Sequence, residues 1–411
     1  SYDTQTVDLN GAIGNDIGYA NAFARYAHTG GWRENSQAEQ AALSGRGGLY
    51  IGKGEAFIDY AIEECSPKFN YALIGSGVSQ NPNQPVSLRD LHGFQLGGVS
   101  LPHGKVNPPH MHFTCEVFVC TRGDWKLMWG FNPEPEQAMI GEGDIVSVPT
   151  WIYRSFRNEG VDDGFLFSCL GRDDNGGILW GPSTVAAAQK AGVYLTSDHR
   201  MVNTVRGESL GPDERLWEPM TQEEIANLEV WTPEAMLQRV VRWKDLRWSQ
   251  EALLDSALPG HGAAMAPVIG LGMSQSRSAI PPVANSHGMS IEWLRIPAGG
   301  HVDWHRLGHK QVVIAKKGDL LVKVRADDGV YEQSLHGSAQ AWDAYALPDQ
   351  HWRSLHNTGA DTAYALLVTS GDEKKKIEWS EDVVSAAASA GWTLDANYCT
   401  ALKRFVDRSQ R

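Results

Sequence analysis

The stretch Gly104–Gly123, GKVNPPHMHFTCEVFVCTRG, places two histidines, His110 and His112, two positions apart and a carboxylate, Glu116, four positions later. Val, Phe and Thr are frequent in the stretch, which predicts β-structure. Residues two apart on a strand point to the same face, so both imidazoles can bind one ion. Two His and one carboxylate with open positions are typical of non-haem iron(II) sites, although Mn, Ni, Cu and Zn accept the same ligands.

The spacing resembles the first signature motif of the cupin superfamily, from Gly104 through the two histidines and Glu116 to Gly123. Gly143, Pro149 and Asn158 fit the second motif, but Arg154 stands where that motif normally supplies a third histidine, and Trp151 stands at its usual glycine. Arginine stays protonated and cannot bind a metal. The resemblance therefore implies a barrel with a three-ligand site at His110, His112 and Glu116; the alternative is that Arg154 pairs with Glu116 and no metal binds.

The second half of the chain repeats the first. His305 and Gly318 stand 195 positions after His110 and Gly123, while the Pro149-x4-Arg154 segment recurs 199 positions later as Pro348-x4-Arg353. Matched positions at nearly constant offset indicate an internal duplication. We predict an all-β protein with two double-stranded β-helix (cupin) barrels and short flanking and linking helices.

The predicted boundaries follow from this duplication and from composition. Short apolar runs separated by Gly and Pro indicate strands, whereas Thr221-x-x-Glu224 and Thr232-Pro233 are helix starts in the polar segment between the repeats. We predict an N-terminal arm packing on the barrels, the first cupin domain with the metal site, a partly helical linker, and the second cupin domain with a C-terminal helix and a degenerate site; these are residues 1–88, 89–194, 195–262 and 263–411.

The second repeat has lost most of the ligand set. It keeps His305, but Leu307 replaces the second histidine, Gln311 replaces the carboxylate and Arg353 again replaces the last histidine. Asp303, His309 and His351 are the residues from which a different geometry could be built. We predict one divalent metal ion per chain, with iron(II) first and Mn, Ni, Cu or Zn as alternatives, and a second barrel that is structural or binds a ligand without metal.

Further candidates surround the first motif. Arg154 is predicted to bind a substrate anion or stabilise a developing negative charge; the alternative is a bridge between strands to an acidic residue. Tyr153 is a second catalytic candidate, although an ideal strand would point it outward. Trp125 and Trp151 suit stacking on a flat substrate, or are ordinary core. His103 is a candidate for the substrate site, or a loop residue.

Bulk properties narrow the partners. The chain of 411 residues carries 36 basic and 49 acidic residues, a net charge of −13, which argues against nucleic acid or an anionic membrane as the main partner. Its five cysteines form no CxxC pair, and no apolar stretch is long enough to span a bilayer. We expect a cytoplasmic homo-oligomer.

These observations predict a metal-dependent oxidoreductase, with an iron(II) dioxygenase as the leading hypothesis. Its substrates would be dioxygen and a small anionic molecule, aromatic or diketone-like. Two alternatives stay open. The same ion could serve as a Lewis acid in a lyase, isomerase or decarboxylase, or the protein could be a non-catalytic bicupin that binds a small molecule.

Overall fold

The computed structural model describes residues 4–15, 18–29, 38–44, 69–75, 86–131, 136–174 and 176–409. The chain divides into two compact units, residues 51–245 and residues 246–411 together with 1–50. Near the N-terminus three strands form an antiparallel sheet in the order β1-β2-β3; they are β1 (Thr4–Asn15), β2 (Gly18–Thr29) and β3 (Ala38–Ser44).

The unit of residues 51–245 holds the first barrel, in which two curled sheets enclose a core. The larger sheet has the order β17-β11-β8-β13-β6-β4-β5, and the smaller sheet has the order β10-β9-β12-β7-β14. Their strands are β4 (Phe69–Ile74), β5 (Val86–Leu88), β6 (Phe94–Leu101), β7 (Val106–His112), β8 (Glu116–Arg122), β9 (Trp125–Trp129), β10 (Glu136–Ile140), β11 (Ile145–Val148), β12 (Arg154–Asn158), β13 (Gly164–Gly171), β14 (Ile178–Trp180) and β17 (Val240–Val241).

Alternating burial along β9 shows why these segments form a barrel. Trp125, Leu127 and Trp129 are buried, while the residues between them are partly exposed, so one face of the strand packs into the core. Gly123 separates β8 from β9 and has a φ of +91°, a left-handed conformation that favours glycine. This turn carries the chain from the larger sheet into the smaller one.

Short elements follow the first barrel. Helix α1 (Pro182–Lys190) begins with proline and is followed by Gly192, which has a positive φ. Strands β15 (Val193–Leu195) and β16 (Met201–Asn203) pair, and helices α2 (Gln222–Ala226) and α3 (Pro233–Leu237) start at the predicted caps. Thr221 accepts a hydrogen bond from the Glu224 backbone N–H in a capping box, which confirms the predicted helix start.

The unit that includes residues 246–411 holds the second barrel, whose main path of strands has the order β18-β19-β25-β21-β24-β20-β26. The long strand β21 also pairs with β22 and β23. Its elements are β18 (Ala264–Ile269), β19 (Met289–Ile296), β20 (His301–Arg306), β21 (Gln311–Ala326), β22 (Gly329–Gly337), β23 (Ala344–Leu347), β24 (Trp352–Asn357), β25 (Ala363–Ser370), β26 (Glu378–Trp379), β27 (Trp392–Leu394), β28 (Thr400–Leu402), α4 (Glu381–Ser389) and α5 (Lys403–Ser409).

The prediction of an all-β fold with two barrels and short helices is confirmed. The first barrel extends beyond the predicted domain limits, since β4 and β5 lie before residue 89 and β17 lies in the predicted linker, yet all three belong to its larger sheet. Much of the predicted arm, residues 1–88, lies outside the described residues. The domain limits and the packing of the arm stay predictions.

Candidate metal centre

A β-bulge in β7 orients His110. The pairing of β7 with β12 shifts by one residue between His110 and Asn107, so Pro108 and Pro109 form the bulge. Proline has no N–H to donate to a ladder and is tolerated there. The carbonyl oxygen of Pro108 lies 2.8 Å from Nδ1 of His110. A carbonyl can only accept, so Nδ1 carries the proton and Nε2 has the lone pair that a metal needs.

His112 and Glu116 converge with His110. Nδ1 of His112 lies 3.1 Å from the Gly177 carbonyl oxygen, so this ring too has its protonated nitrogen directed at the backbone. Glu116 opens β8, and its Oε2 is 3.5 Å from Nε2 of His112. One ligand atom from each of the three residues lies within 4.8 Å of the others, and all three side chains are buried. The sequence-predicted trio is thus brought together; its role as a ligand set remains a proposal.

Two side chains hold the Glu116 carboxylate. Ser168, on β13, donates a hydrogen bond of 2.7 Å to Oε1, and Arg154 donates one of 3.2 Å from Nη1 to Oε2. Arg154 also donates from Nη2 to the Pro149 carbonyl oxygen at 2.7 Å. Burial lowers the pKa of Arg154, and the charge of Glu116 opposes that shift. Of the two predicted roles for Arg154, the structure contains the strand bridge to an acidic residue.

Aromatic rings enclose His110. The Trp180 ring centroid is 5.7 Å from that of His110, and Phe156 approaches the same ring edge-on at 6.3 Å. Both aromatic residues are buried. They exclude water from this side of the imidazole, which strengthens electrostatic interactions at the site.

Tyr153 and Trp125 are both buried, in contacts that do not include the three candidate ligands. Tyr153 packs against Phe131 with ring centroids 4.9 Å apart, and burial raises its pKa to about 12, with a smaller contribution from Glu224. Trp125 belongs to the hydrophobic core, and its Nε1 donates to the Arg122 carbonyl oxygen at 2.9 Å. Their catalytic and stacking roles stay predictions, without support from these contacts.

Trp151 and His103 lie nearer the surface. Trp151 is 48% exposed and contacts Phe113 edge-on at 5.3 Å, while its backbone N–H reaches the His112 carbonyl oxygen at 3.4 Å. Its φ of +59° explains why the family motif favours glycine at this position. Nδ1 of the exposed His103 lies 2.6 Å from the Gly160 carbonyl oxygen. Substrate binding by either residue stays a prediction.

The second barrel repeats the scaffold without the carboxylate. His305 Nδ1 lies 2.7 Å from the Asp303 carbonyl oxygen, and Arg353 donates to the Pro348 carbonyl oxygen at 2.6 Å, as their counterparts do in the first barrel. Gln311 instead donates to Thr369 Oγ1 at 2.9 Å. Burial, followed by the charge of Arg353, lowers the pKa of His305 to about 3, and burial lowers the pKa of Arg353 to about 10. A neutral imidazole and an amide beside a buried cation are poor ligands for a divalent ion.

The residues considered as replacements in the second barrel do not gather around His305. His309 pairs with Glu373, and Nδ1 of the exposed His351 lies 2.7 Å from the Asp349 carbonyl oxygen. Asp303 instead groups with His261 and His301, one ligand atom from each lying within 4.8 Å of the others. The sequence analysis identified neither of these two histidines.

The residues of the first barrel fit a divalent ion by the chemistry of their donors. One nitrogen of each imidazole and one carboxylate oxygen lie within 4.8 Å of one another, and hydrogen bonds hold Nδ1 of both rings and Oε1 of Glu116. The Arg154 charge opposes a cation there, although it leaves Oε2 with a second lone pair. The second candidate group, in the other barrel, also contains imidazole and carboxylate donors.

The histidine motif recognised in the sequence lies on strands of the first of the two barrels. Both halves contain the β-barrel that the cupin resemblance implies. No family model matches the chain, and no curated protein sequence is similar to it. No helix in the described ranges has the length and apolar character needed to cross a membrane.

Several solved structures are distantly similar. The Lactobacillus farciminis oxalate decarboxylase formate complex is 13% identical over 73% of this chain and 82% of that chain, with a TM-score of 0.45. Procruciferin, an 11S globulin from Brassica napus, is 11% identical over 70% and 79%, with a TM-score of 0.44. Tomato (Solanum lycopersicum) vicilin is 10% identical over 70% and 77%, with the same score. Similarity at this level does not bear on the activity of this chain.

Proposed function

We propose that the first bicupin barrel is the active site of a metal-dependent enzyme, and that its leading reaction is dioxygenation of a small anionic substrate with iron(II). The observation that carries the proposal is the convergence of His110, His112 and Glu116, with one ligand atom from each within 4.8 Å of the others. Three protein ligands leave coordination positions open for substrate and oxygen. Mn, Ni, Cu and Zn remain alternative ions.

The charge of the site supports an anionic substrate. Arg154 neutralises Glu116 through the 3.2 Å ion pair, and histidines bind a metal ion as neutral rings. A divalent ion would therefore leave a net charge of +2 among buried side chains. Buried charge is costly unless it is paired, so a carboxylate, enolate or phenolate is the ligand this environment favours.

The protein residues fix the ligands and keep water away. The Pro108 and Gly177 carbonyl groups hold the two imidazoles, while Ser168 and Arg154 hold the two oxygens of Glu116. Iron(II), when bound, would allow a singlet organic molecule to react with triplet dioxygen. The positions of these side chains require no protein nucleophile, which agrees with their roles as ligands and ligand supports.

A second candidate function is a non-oxidative lyase, isomerase or decarboxylase that uses the ion as a Lewis acid. The buried Arg154 guanidinium favours it, because a fixed cation beside the ion also stabilises an enolate-like or carboxylate group without oxygen. The same ion pair is the feature that favours a third candidate, a non-catalytic bicupin in which Arg154 satisfies Glu116.

Metal analysis of freshly purified protein, followed by oxygen-electrode assays with phenolic acids and diketones, separates the three candidates. We expect one metal ion per chain bound at the first barrel and substrate-dependent oxygen uptake. Glu116→Gln should lower the metal affinity and the rate of oxygen uptake by at least about 100-fold each, because it removes the anionic ligand. Glu136→Gln, at an exposed position on β10 of the same barrel, is the matched control and should retain both.

Three results would contradict the proposal, and each would contradict a different part of it. Turnover under strictly anaerobic conditions would replace the dioxygenase with the Lewis-acid enzyme. A folded protein in which His110→Ala leaves metal content and oxygen uptake unchanged would reject the site. Failure to bind added iron(II) or manganese(II) at the first barrel would leave the non-catalytic bicupin.

A further inference from the structure

A second group of metal-binding side chains lies in the second barrel, away from the position of its lost cupin site. Nε2 of His261 is 3.7 Å from Oδ2 of Asp303 and 4.0 Å from Oδ2 of Asp255. The His261 and His301 ring centroids are 4.0 Å apart. Two imidazoles and the Asp303 carboxylate therefore lie within 4.8 Å of one another, with the Asp255 carboxylate next to His261, at a place where the cupin motif implies no divalent ion.

A β-bulge separates this group from the barrel interior. In the pairing of β20 with β24, Val302 is opposite Leu355 and His305 is opposite Arg353, so β20 contains one extra residue. Val302 and His305 are both buried, whereas His301 and Asp303 are partly exposed. The strand thus presents His305 to the interior and presents His301 and Asp303 to the opposite face.

The buried Asp255 is the observation that points to a cation. Its side chain is fully buried, Oδ2 accepts a hydrogen bond of 2.8 Å from the Asp303 backbone N–H, and Oδ1 has no hydrogen-bond partner. A buried carboxylate without a counter-charge is expensive. His261 lies beyond hydrogen-bonding distance of both carboxylates. A protonated His261 could balance one negative charge, whereas a divalent ion balances both.

The ligand spacings suit a small cation. Ligands of a tetrahedral zinc ion with bonds of about 2.0–2.1 Å are about 3.4 Å apart, so the 3.7 Å separation of His261 and Asp303 needs a small contraction, and all separations in the group lie within 4.8 Å. Nδ1 of His261 lies 3.1 Å from the Pro259 carbonyl oxygen, which leaves Nε2 for the ion. The His301 ring forms a hydrogen bond with the Gly260 backbone and stacks on the His356 ring, with ring centroids 5.1 Å apart.

The turn that carries His261 is fitted to the strand. Gly300 lies where any side chain would overlap the His261 carbonyl oxygen, so glycine allows the close approach of the turn to β20. The positions equivalent to His301, Asp303 and His356 in the first barrel are Val106, Pro108 and Arg157, which could not form this group. The cluster is therefore specific to the second barrel and owes nothing to the duplicated motif.

We propose that His261, His301 and Asp303, with the buried Asp255 carboxylate beside them, form a zinc-type divalent cation site that ties the turn before β18 to the outer face of the second barrel. The ion satisfies the two carboxylates and fixes the turn to β20. This site is independent of the function proposed for the first barrel. It does not require a substrate.

The test uses the full chain with the first barrel disabled by His112→Leu and Glu116→Gln. After treatment with a chelator, zinc is titrated against a chromophoric competitor, and cobalt(II) is added separately to record its visible absorption. We expect one zinc ion per chain, a cobalt spectrum of tetrahedral intensity, and a higher melting temperature with zinc. Adding His301→Ala or Asp303→Asn should weaken zinc binding by at least about 100-fold and abolish the cobalt spectrum.

His336→Ala is the matched control, because His336 is an exposed histidine of the same barrel, paired with Asp319, and its loss should leave zinc affinity unchanged. Thermal unfolding without metal establishes that each variant is folded, and Asp303→Asn preserves the size of the side chain. Should the disabled first barrel not fold, His301→Ala in the wild-type chain must lower zinc stoichiometry by one. Unchanged zinc affinity in both variants, or no saturable binding, overturns the proposal in favour of a proton-linked His–Asp cluster.

Discussion

The two barrels keep the same arginine but differ in the acid beside it. Arg154 and Arg353 are both buried and both donate to the carbonyl oxygen of the proline five positions earlier. Arg154 also pairs with Glu116, whereas the equivalent acid is Gln311 in the second barrel, and Nη1 of Arg353 has no hydrogen-bond partner. The shared bond to proline is therefore a feature of the scaffold. The carboxylate, together with the second histidine that Leu307 replaces, is what distinguishes the candidate metal site of the first barrel.

The largest expected effect comes from exchanging the two donor sets. His112→Leu with Glu116→Gln gives the first barrel the donors of the second, and we expect it to lose its bound metal. Leu307→His with Gln311→Glu restores two imidazoles and a carboxylate around His305, and we expect one additional manganese or iron ion per chain, because the scaffold that orients His305 is retained. Elemental analysis after gel filtration measures both.

Leu307→His alone is the control for the gain of metal, because Leu307 belongs to the second core and its replacement also perturbs packing. If the rebuilt barrel folds and takes up no metal, Arg353→Met is added. Uptake only after that change would show that the buried cation, rather than the ligand geometry, prevents binding.

Replacing each arginine in turn should lower the free energy of unfolding by different amounts in the two barrels. Arg154→Met leaves the buried Glu116 carboxylate without its cation and should lower the free energy of unfolding by about 3–5 kcal/mol. Arg353→Met removes a cation that forms no described ion pair and feels an acid, Asp349, only through its charge, so the change should be about 1 kcal/mol. Calorimetric melting of the metal-free chain compares the two. Equal losses would mean that the bond to proline, common to both, dominates.

A buried acid, Glu292, makes the second barrel lose stability as the pH rises from 4.5 to about 8, and the equivalent position in the first barrel is Gly97. Burial raises the pKa of Glu292 to about 8, opposed by a hydrogen bond from Met273 and by the charge of Lys375. The folded state then holds a proton that the unfolded state releases near pH 4.5. The stabilisation is present below pH 4.5 and is lost as pH rises towards 8.

Melting temperatures measured between pH 4.5 and 8 test this assignment. Glu292→Gln keeps the size and the hydrogen-bond acceptor, and it should flatten the decline in melting temperature of the second barrel as pH rises. Glu251→Gln, at an exposed position of the same unit, should leave the slope unchanged. A wild-type slope in Glu292→Gln would assign the proton to another group.

The smallest expected effect concerns the equivalent turn positions Trp151 and Gln350, both of which have a φ of +59°. Gln350→Gly should relieve this left-handed strain and stabilise the protein by up to about 1 kcal/mol. Trp151→Gly should gain less, because it also loses the ring contact with Phe113. Chemical denaturation of the two variants compares them, and equal gains would show that the ring contact contributes nothing.

Local spacing was enough to predict much of the fold. The His110-x-His112 pair, Glu116 and the duplicated Arg154 and Arg353 positions indicated two barrels, and the caps at Thr221 and Thr232 marked the starts of two helices. These signals work because strands and helix termini depend on neighbours that are close in sequence.

The remaining features depend on pairing between residues that are far apart in the sequence, so they could not be predicted from local spacing. Ser168 holds Glu116 from 52 positions away, and only the alignment of β13 with β8 brings the two together. His261 lies in a polar segment with no motif, and the bulge in β20 reverses the faces that simple alternation predicts. For the same reason the pairing of Arg154 with Glu116 was one of two open alternatives until the side chains were placed.

The extra residue in β20 gives a six-residue strand two chemically different surfaces. Strand β7 has an extra residue at the equivalent place, where two prolines occupy it. Because His301 and Asp303 are partly exposed while Val302 and His305 are buried, the outward positions can carry polar side chains without disturbing the core. A deletion there would restore regular alternation and exchange the environments of His305 and its outward neighbours in a single step.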